Sequence, residues 1–234
     1  MDADLTLVPT PIGNLGDITV RALDTLKSAE HVLAEDTRVT RKLFNHYGIT
    51  ASLSAFHQHN EHRMTERIIE QMLSGQKIVL VSDAGTPGIS DPAFLLVRAA
   101  VEAGLKVECL PGPTAFVPAL VASGFPCDRF VFEGFLPHKK GRQKKLLNLK
   151  EEERTIIFYE SPHRLIKTIE QIAEFIGTDR RLCVVREISK IHEEYARGST
   201  SELIEHFTKK EPKGEIVILL EGLRKQKKDE DSED

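Results

Sequence analysis

Short apolar runs alternate with amphipathic stretches along almost the whole chain. LTLVPT, residues 5 to 10, reads as a strand. From Ile18 to Leu33 the apolar residues Val20, Leu23, Leu26, Ala29 and Leu33 keep to one helical face, which predicts a single helix over that span. A second helix follows from Arg38 to Tyr47, stopped at Gly48, then the short strand SLSAF, then a helix to Leu73 capped by Asn60 and followed by Gly75. KIVLVSD (77 to 83) is an unbroken apolar run of the kind buried on both faces of a parallel sheet. Asp91 and Pro92 form an N-cap and first-turn pair for a helix ending near Gly104, LKVECL (105 to 110) is the next strand, and PGPTA leads into a helix closed by Gly124.

The second half keeps the alternation with a different accent. FVFEGFL (130 to 136), RTIIFYE (154 to 160), RLCVVREI and GEIVILLEG read as strands, HRLIKTIEQIAEFIG as a helix, and HKKGRQKKLLNLK as a basic helical stretch. Ser199 and Glu202 make a capping box at the start of STSELIEHFTKK. The tail from Arg224 to Asp234 is almost wholly charged and reads as disordered. Pro111, Pro113, Pro118 and Pro126 cluster where the topology is expected to change. The expectation is therefore an α/β protein with an N-terminal domain at 1–115, a C-terminal domain at 116–223 and a tail at 224–234.

Composition narrows this picture modestly. A chain of 234 residues, 40% hydrophobic, can fill one large core or two small ones. A net charge of -4 gives no global pull toward nucleic acid, so any such contact needs a local patch. Cys109, Cys127 and Cys183 are an odd number without CxxC spacing, which points to reduced thiols rather than disulfides or zinc. No apolar run approaches the roughly 18 residues of a membrane span, and the N-terminus lacks a signal-peptide pattern. A cytoplasmic protein without a membrane partner is expected.

Ligands of open α/β sheets sit beyond the carboxyl ends of the strands. Four loops there are unusual: TPIGNLGD (10 to 17), AEDTR (34 to 38), DAGTPGISDP (83 to 92) and PGPTA (111 to 115). One such loop is an ordinary tight turn. Four of them, stiffened by proline and opened by glycine, can present a preformed set of amides and carbonyls to one molecule. The lysine of a phosphate-binding GxxxxGK[ST] loop is absent, GxGxxG is incomplete, and the loops carry Asp17, Asp36, Asp83 and Asp91 instead. They favour a ligand that is neutral or cationic.

S-adenosylmethionine, with its sulfonium, meets that demand. TLVPTPIGNLGD, LAEDTR, VSDAGTPGISDPA and LPGPTA, followed by FEGFLP, FYESPHR, REISKIHEE and KGEIVI, resemble the tetrapyrrole methylase superfamily. Within it they are similar to the branch that methylates a cytidine ribose 2'-oxygen in 16S ribosomal RNA. The resemblance runs from about Leu5 to Glu221 and implies two α/β domains with the cofactor in the cleft between them, within a homodimer, and 16S rRNA in the small ribosomal subunit as partner. Carried over by position, it implies cofactor contacts at Pro11, Ala84, Gly85, Thr86, Ile89, Thr114, Ala115, Tyr159, Glu160, Gly214 and Glu215. The chain has AGTP where porphyrin-modifying relatives have GGDP, so no aspartate of that loop is assigned to the cofactor.

Candidates for taking the proton of an acceptor hydroxyl are Asp36, Glu187 and His163; Asp36 and Arg38 are equally readable as a structural ion pair. Arg38, Arg164 and Arg186 are candidates for phosphate. The run Lys139, Lys140, Arg142, Lys144, Lys145 and Lys150 contains no acid; alone it is a solvated helix face, and beside an RNA substrate it is a phosphate track. His57, His59 and His62 have poor metal spacing, and no metal is expected. Two other functions compete: a methylase of tetrapyrroles or other small molecules, which would not need the cationic run, and a non-catalytic ribosomal RNA-binding protein, against which the rigid loops argue.

Overall fold

The three central strands of the first half read as largely apolar runs because they are covered on both sides, whereas its two edge strands are partly exposed. The computed structural model describes residues 2–224, and the chain divides into two units, Met1–Ala115 and Phe116–Asp234. The first contains β1 (Leu5–Leu7), α1 (Val20–Ser28), β2 (His31–Ala34), α2 (Thr37–Tyr47), β3 (Ser52–Ala55), α3 (Glu61–Leu73), β4 (Ile78–Val81), α4 (Phe94–Glu102) and β5 (Val107–Cys109). Its sheet has the order β3-β2-β4-β1-β5 and is parallel throughout, with Leu5 opposite Ile78 and Leu7 opposite Leu80. Alternate residues go to opposite cores. Val8, Val32, Val79 and Val81 join Ala22, Leu26 and Phe44 from α1 and α2, while Leu5, Leu33, Ile78 and Leu80 join Ile68, Met72 and Leu96 from α3 and α4.

The second unit holds α5 (Phe116–Ser123), β6 (Phe130–Phe135), α6 (Arg142–Asn148), β7 (Thr155–Glu160), α7 (Leu165–Phe175), β8 (Leu182–Arg186), β9 (Glu194–Gly198), α8 (Thr200–Lys209) and β10 (Ile216–Leu220). Its sheet, β6-β7-β10-β8-β9, is mixed: β6 runs parallel to β7, and the other pairs are antiparallel. Ile156, Phe158, Val184 and Ile218 face Leu165, Ile169, Ile172, Leu203 and Phe207 of α7 and α8. Ser199 and Glu202 close the capping box at the head of α8. Among the described residues no helix is long and apolar enough to cross a membrane.

Four expectations need correction. The helix predicted from Ile18 to Leu33 ends at Ser28, and its last residues are strand β2, whose Val32, Leu33 and Ala34 are wholly buried. Asn60 stands at the N-cap of α3 as expected, but its side chain makes no capping bond: it accepts from His57 N (2.9 Å) and donates to Ala55 O (3.0 Å), closing the turn before the helix. Asp91 does not cap α4, which starts at Phe94 behind Ala93. The strand β9 falls in a stretch to which the sequence pattern assigns no element. The predicted tail, apart from Arg224, lies outside the described residues; Arg224 itself donates to the Glu221 carboxylate at 2.5 Å.

Candidate functional site

β1 and β4 lie side by side at the middle of the first sheet, and the chain leaves them toward opposite faces. The helix after β1 packs into the core that holds Val8 and Val79, and the helix after β4 into the core that holds Leu5 and Leu80. That divergence opens a crevice at the strand ends, the usual ligand position in such sheets.

The crevice is framed by loops fastened to one another. Thr10 and Gly85 exchange both backbone hydrogen bonds, N to O at 2.9 Å each way, so the loops after β1 and β4 meet in a one-residue ladder. Thr10 Oγ1 donates to Ser82 O (3.1 Å), and Thr86 Oγ1 reaches across to Pro113 O (3.0 Å) in the loop after β5. Gly85 has φ +83°, and a Cβ there would sit 3.4 Å from Ile12 Cγ2 and 3.7 Å from Pro113 O. A side chain would be strained in conformation and would fill the space where the three loops converge. Of the residues expected to touch the cofactor in this unit, Gly85 is buried, Pro11, Thr86, Ile89, Thr114 and Ala115 are half-buried, and Ala84 is exposed.

The electrostatics are acidic. Asp36 caps α2 by accepting from Arg38 N (2.8 Å), and its carboxylate also binds the Arg38 guanidinium at 3.0 Å to Nε and 2.6 Å to Nη2. The Arg38 side-chain hydrogen bond, with the backbone bond added, holds the Asp36 carboxyl down at about 2. Asp83 accepts the Asp36 amide at 2.9 Å, and burial raises its own pKa. Glu35 is raised by burial and by the charge of Asp83. Asp91 is pushed up to about 7 by burial and by Glu35, against the opposing hydrogen bond from Ser82. Asp36 is already paired with Arg38, and Glu35, Asp83 and Asp91 crowd one another, a grouping that a cation would relieve and a phosphate would not, while the Cβ-free cradle at Gly85 suits close backbone approach. Sequence reasoning names Asp83 and Asp91 among the loop acids that favour a neutral or cationic ligand but does not single out Glu35 or Ser82; for Glu35 the signal is the acid pair of AEDTR on a loop lacking lysine.

The family model for tetrapyrrole (corrin/porphyrin) methylases matches residues 4–204. This chain belongs to the tetrapyrrole methylase family. Ribosomal RNA small subunit methyltransferase I of Synechocystis sp. is 50% identical over 219 residues, covering 93% of this methylase and 78% of that protein. The protein of the same description from Thermotoga maritima is 48% identical over 218 residues, 93% of this chain and 98% of its own. Among solved structures, a cobalt precorrin-4 methyltransferase of cobalamin biosynthesis aligns with TM-score 0.68 at 20% identity, over 93% of this chain and 94% of that one. A diphthine synthase aligns with TM-score 0.73 at 14% identity, over 93% and 89%. At such identities these two establish the fold alone.

In the second unit of this methylase, the expected contact Tyr159 packs edge-on against Phe132 and Phe135, with centroids at 5.1 and 5.6 Å. Glu160 is turned inward: Oε1 accepts from Ser161 N (2.8 Å) and Arg164 Nη2 (2.6 Å), and Oε2 from Thr168 Oγ1 (2.7 Å) and Arg142 Nη2 (3.3 Å). Its carboxylate is 0% exposed, so the side chain serves the protein interior rather than a ligand. Gly214 has φ +84°, and the Glu187 carboxylate lies where a Cβ would be, so both conformation and space call for glycine. Glu187 Oε1 accepts from Glu215 N (3.0 Å) and Lys190 Nζ (2.8 Å). Burial alone would raise the Glu187 pKa, but Lys190 and the Glu215 amide outweigh it and hold it below its usual value. His163 is exposed on the short 3-10 turn Pro162–Arg164 behind β7.

The expected RNA contacts divide. Lys139, Lys140, Lys144 and Lys150 are exposed, whereas Lys145 pairs with Glu133. Arg142 is a correction: at 5% exposure it is buried against Glu160, Thr168 and Gln171 and does not face solvent. Arg164 is held by Glu160, and Arg186 by Glu194 at 2.9 Å with its side chain 11% exposed, so neither presents a free fork. Arg38 is outward, already paired with Asp36.

Proposed function

We propose that this chain transfers a methyl group from S-adenosylmethionine to small-subunit ribosomal RNA, at the ribose 2'-oxygen of a cytidine. One structural observation carries the cofactor assignment: the loops after β1, β4 and β5 are locked together around Gly85, whose missing Cβ leaves room for close backbone approach. The RNA substrate rests on the 48 to 50% identity with two ribosomal RNA methyltransferases over 93% of the chain. Four exposed lysines within residues 139–150 supply the phosphate track a small-molecule methylase would not need.

S-adenosylmethionine, when bound, supplies an electrophilic methyl on a sulfonium. The protein's part is chiefly to hold the acceptor in line, an effect on the order of 7 to 11 kcal/mol. Pro11, Ala84, Gly85, Thr86, Ile89, Thr114 and Ala115 are the residues of the first unit that would hold it. The acceptor hydroxyl must lose its proton as the new bond forms. Asp36 and Glu187 are committed to Arg38 and Lys190, so the proton goes to His163, exposed behind β7. His163→Ala is then expected to lower kcat about a hundredfold with little change in KM; an unchanged kcat removes His163 from the reaction. A cytoplasmic homodimer acting on 16S rRNA of the small subunit completes the proposal. Ribose-methylation mapping of small-subunit RNA from cells with and without the gene tests the whole: one modified cytidine should lose its methyl group, and an unaltered map rejects the reading.

A further inference from the structure

One cation of the basic segment points the opposite way from the others. Arg142 opens α6, yet its guanidinium enters the unit and meets four acceptors: Gln171 Oε1 (2.7 Å), Thr168 Oγ1 (2.5 Å), Glu160 Oε2 (3.3 Å) and Pro137 O (3.3 Å). Thr168 relays the contact by donating to Glu160 Oε2 at 2.7 Å. The exposed Lys139, Lys140 and Lys144 surround Arg142 in sequence, and Pro137, which it holds by the carbonyl, leads into them. An apolar side chain of similar volume would serve stability as well as this buried pair does. The planar fork adds direction, because several donors at fixed angles admit only one placement of the segment.

We infer that Arg142 is a positioning residue for RNA binding: through Glu160 and Thr168 it fixes residues 137–145 to the carboxyl end of β7, so that the lysines are presented in a set arrangement. This rests on the reading of the chain as an RNA methyltransferase. A segment ordered beforehand loses less entropy when it meets the phosphates. The same network holds Ser161 and Arg164 on either side of His163, so the phosphate track and the strand end are built on one strut.

The sign of one substitution separates this role from direct phosphate contact. Glu160→Gln removes a negative charge, which by electrostatics alone tightens RNA binding. If Glu160 anchors the segment, affinity of the full chain for in vitro transcribed 16S rRNA instead falls on the order of tenfold. The slope of log affinity against log salt stays unchanged, because the number of phosphates neutralised is the same. Thr168→Val gives a similar loss, Thr168→Ser restores binding, and Arg142→Met with Glu160→Gln together are no worse than the worse single change. S-adenosylmethionine affinity and the melting curve are measured on each protein. A folded Glu160→Gln protein that binds RNA as tightly as the parent, or more tightly, overturns the inference. So does an Arg142→Gln protein whose salt slope falls by about one neutralised phosphate. Should Glu160→Gln fail to fold, the Thr168→Val and Thr168→Ser pair decides. A parent protein that methylates no small-subunit RNA overturns the functional reading and this inference with it, whereas an active parent with unaffected variants overturns this inference alone.

Discussion

The Asp91 carboxyl ionises near 3.8 in an unfolded chain and at about 7 in the folded one, so folding takes up a proton between those values. Its raised pKa makes stability fall as pH climbs from about 4 to about 7 and level off above. Asp91→Asn is therefore expected to raise the melting temperature at pH 8 and to leave it nearly unchanged at pH 4, as followed by circular dichroism; equal shifts at both pH values would place the carboxyl in water. Gly85→Val tests the cradle from the other side. A β-branched residue at φ +83°, 3.4 Å from Ile12, should abolish detectable S-adenosylmethionine binding by calorimetry while the far-ultraviolet spectrum keeps its shape. What is legible at this scale is local. Glycines, prolines and acids on loops announce a rigid, anionic site, since those effects belong to the residue itself. Arg142 cannot be read correctly from sequence: among five lysine neighbours it looks like one more surface cation, and only the distant Glu160, Thr168 and Gln171 turn it inward.

Elements are legible where their signals are self-contained. The box of Ser199 and Glu202 needs only four consecutive residues, and the side chains close it at 3.3 Å to Glu202 N and 2.8 Å to Ser199 N. Ser199→Ala should cost about 0.5 to 2 kcal/mol in urea unfolding of the chain. β2 merges into the helix before it in the sequence pattern because Ala29 and Leu33 happen to continue the helical face of Leu26; the strand is set by its parallel partners on both sides, Leu53 and Val79 opposite Val32. Asp91 followed by proline imitates a cap, yet Ser90 at φ 66° turns the chain and directs Asp91 toward Ser82 and Glu35. For the basic segment, charge reversal of Lys139, Lys140 and Lys144 should weaken binding to all RNA sequences about equally and flatten the salt dependence by about 0.7 to 0.9 for each phosphate no longer neutralised. Unaltered affinity would return these lysines to a merely solvated face.

For the molecule as a whole, the alternation of strands and helices foretells an α/β protein, but it does not distinguish a parallel first sheet from a mixed second one. Strand direction depends on which edges meet, and β10 pairs antiparallel with β7 and β8, which lie well before it in sequence. The choice of acceptor atom is tested with the complete system. Replacing the target cytidine by its 2'-deoxy form should eliminate methyl transfer while lowering RNA affinity only slightly, because phosphate contacts dominate binding. Product at normal yield would move the reading to base methylation.

The paired hydrogen bonds between Thr10 and Gly85 bear on how a ligand gets in. Both amides lie in connecting segments, where deuterium would ordinarily replace protium within moments, yet each is tied to the other's carbonyl at 2.9 Å, and both residues are buried. Their exchange in heavy water should be as slow as that of the neighbouring strands, on the timescale of the whole unit's opening. The frame is then a doorway rather than a door: the cofactor is admitted past a standing lintel, and the rate of its arrival carries no term for parting these two segments.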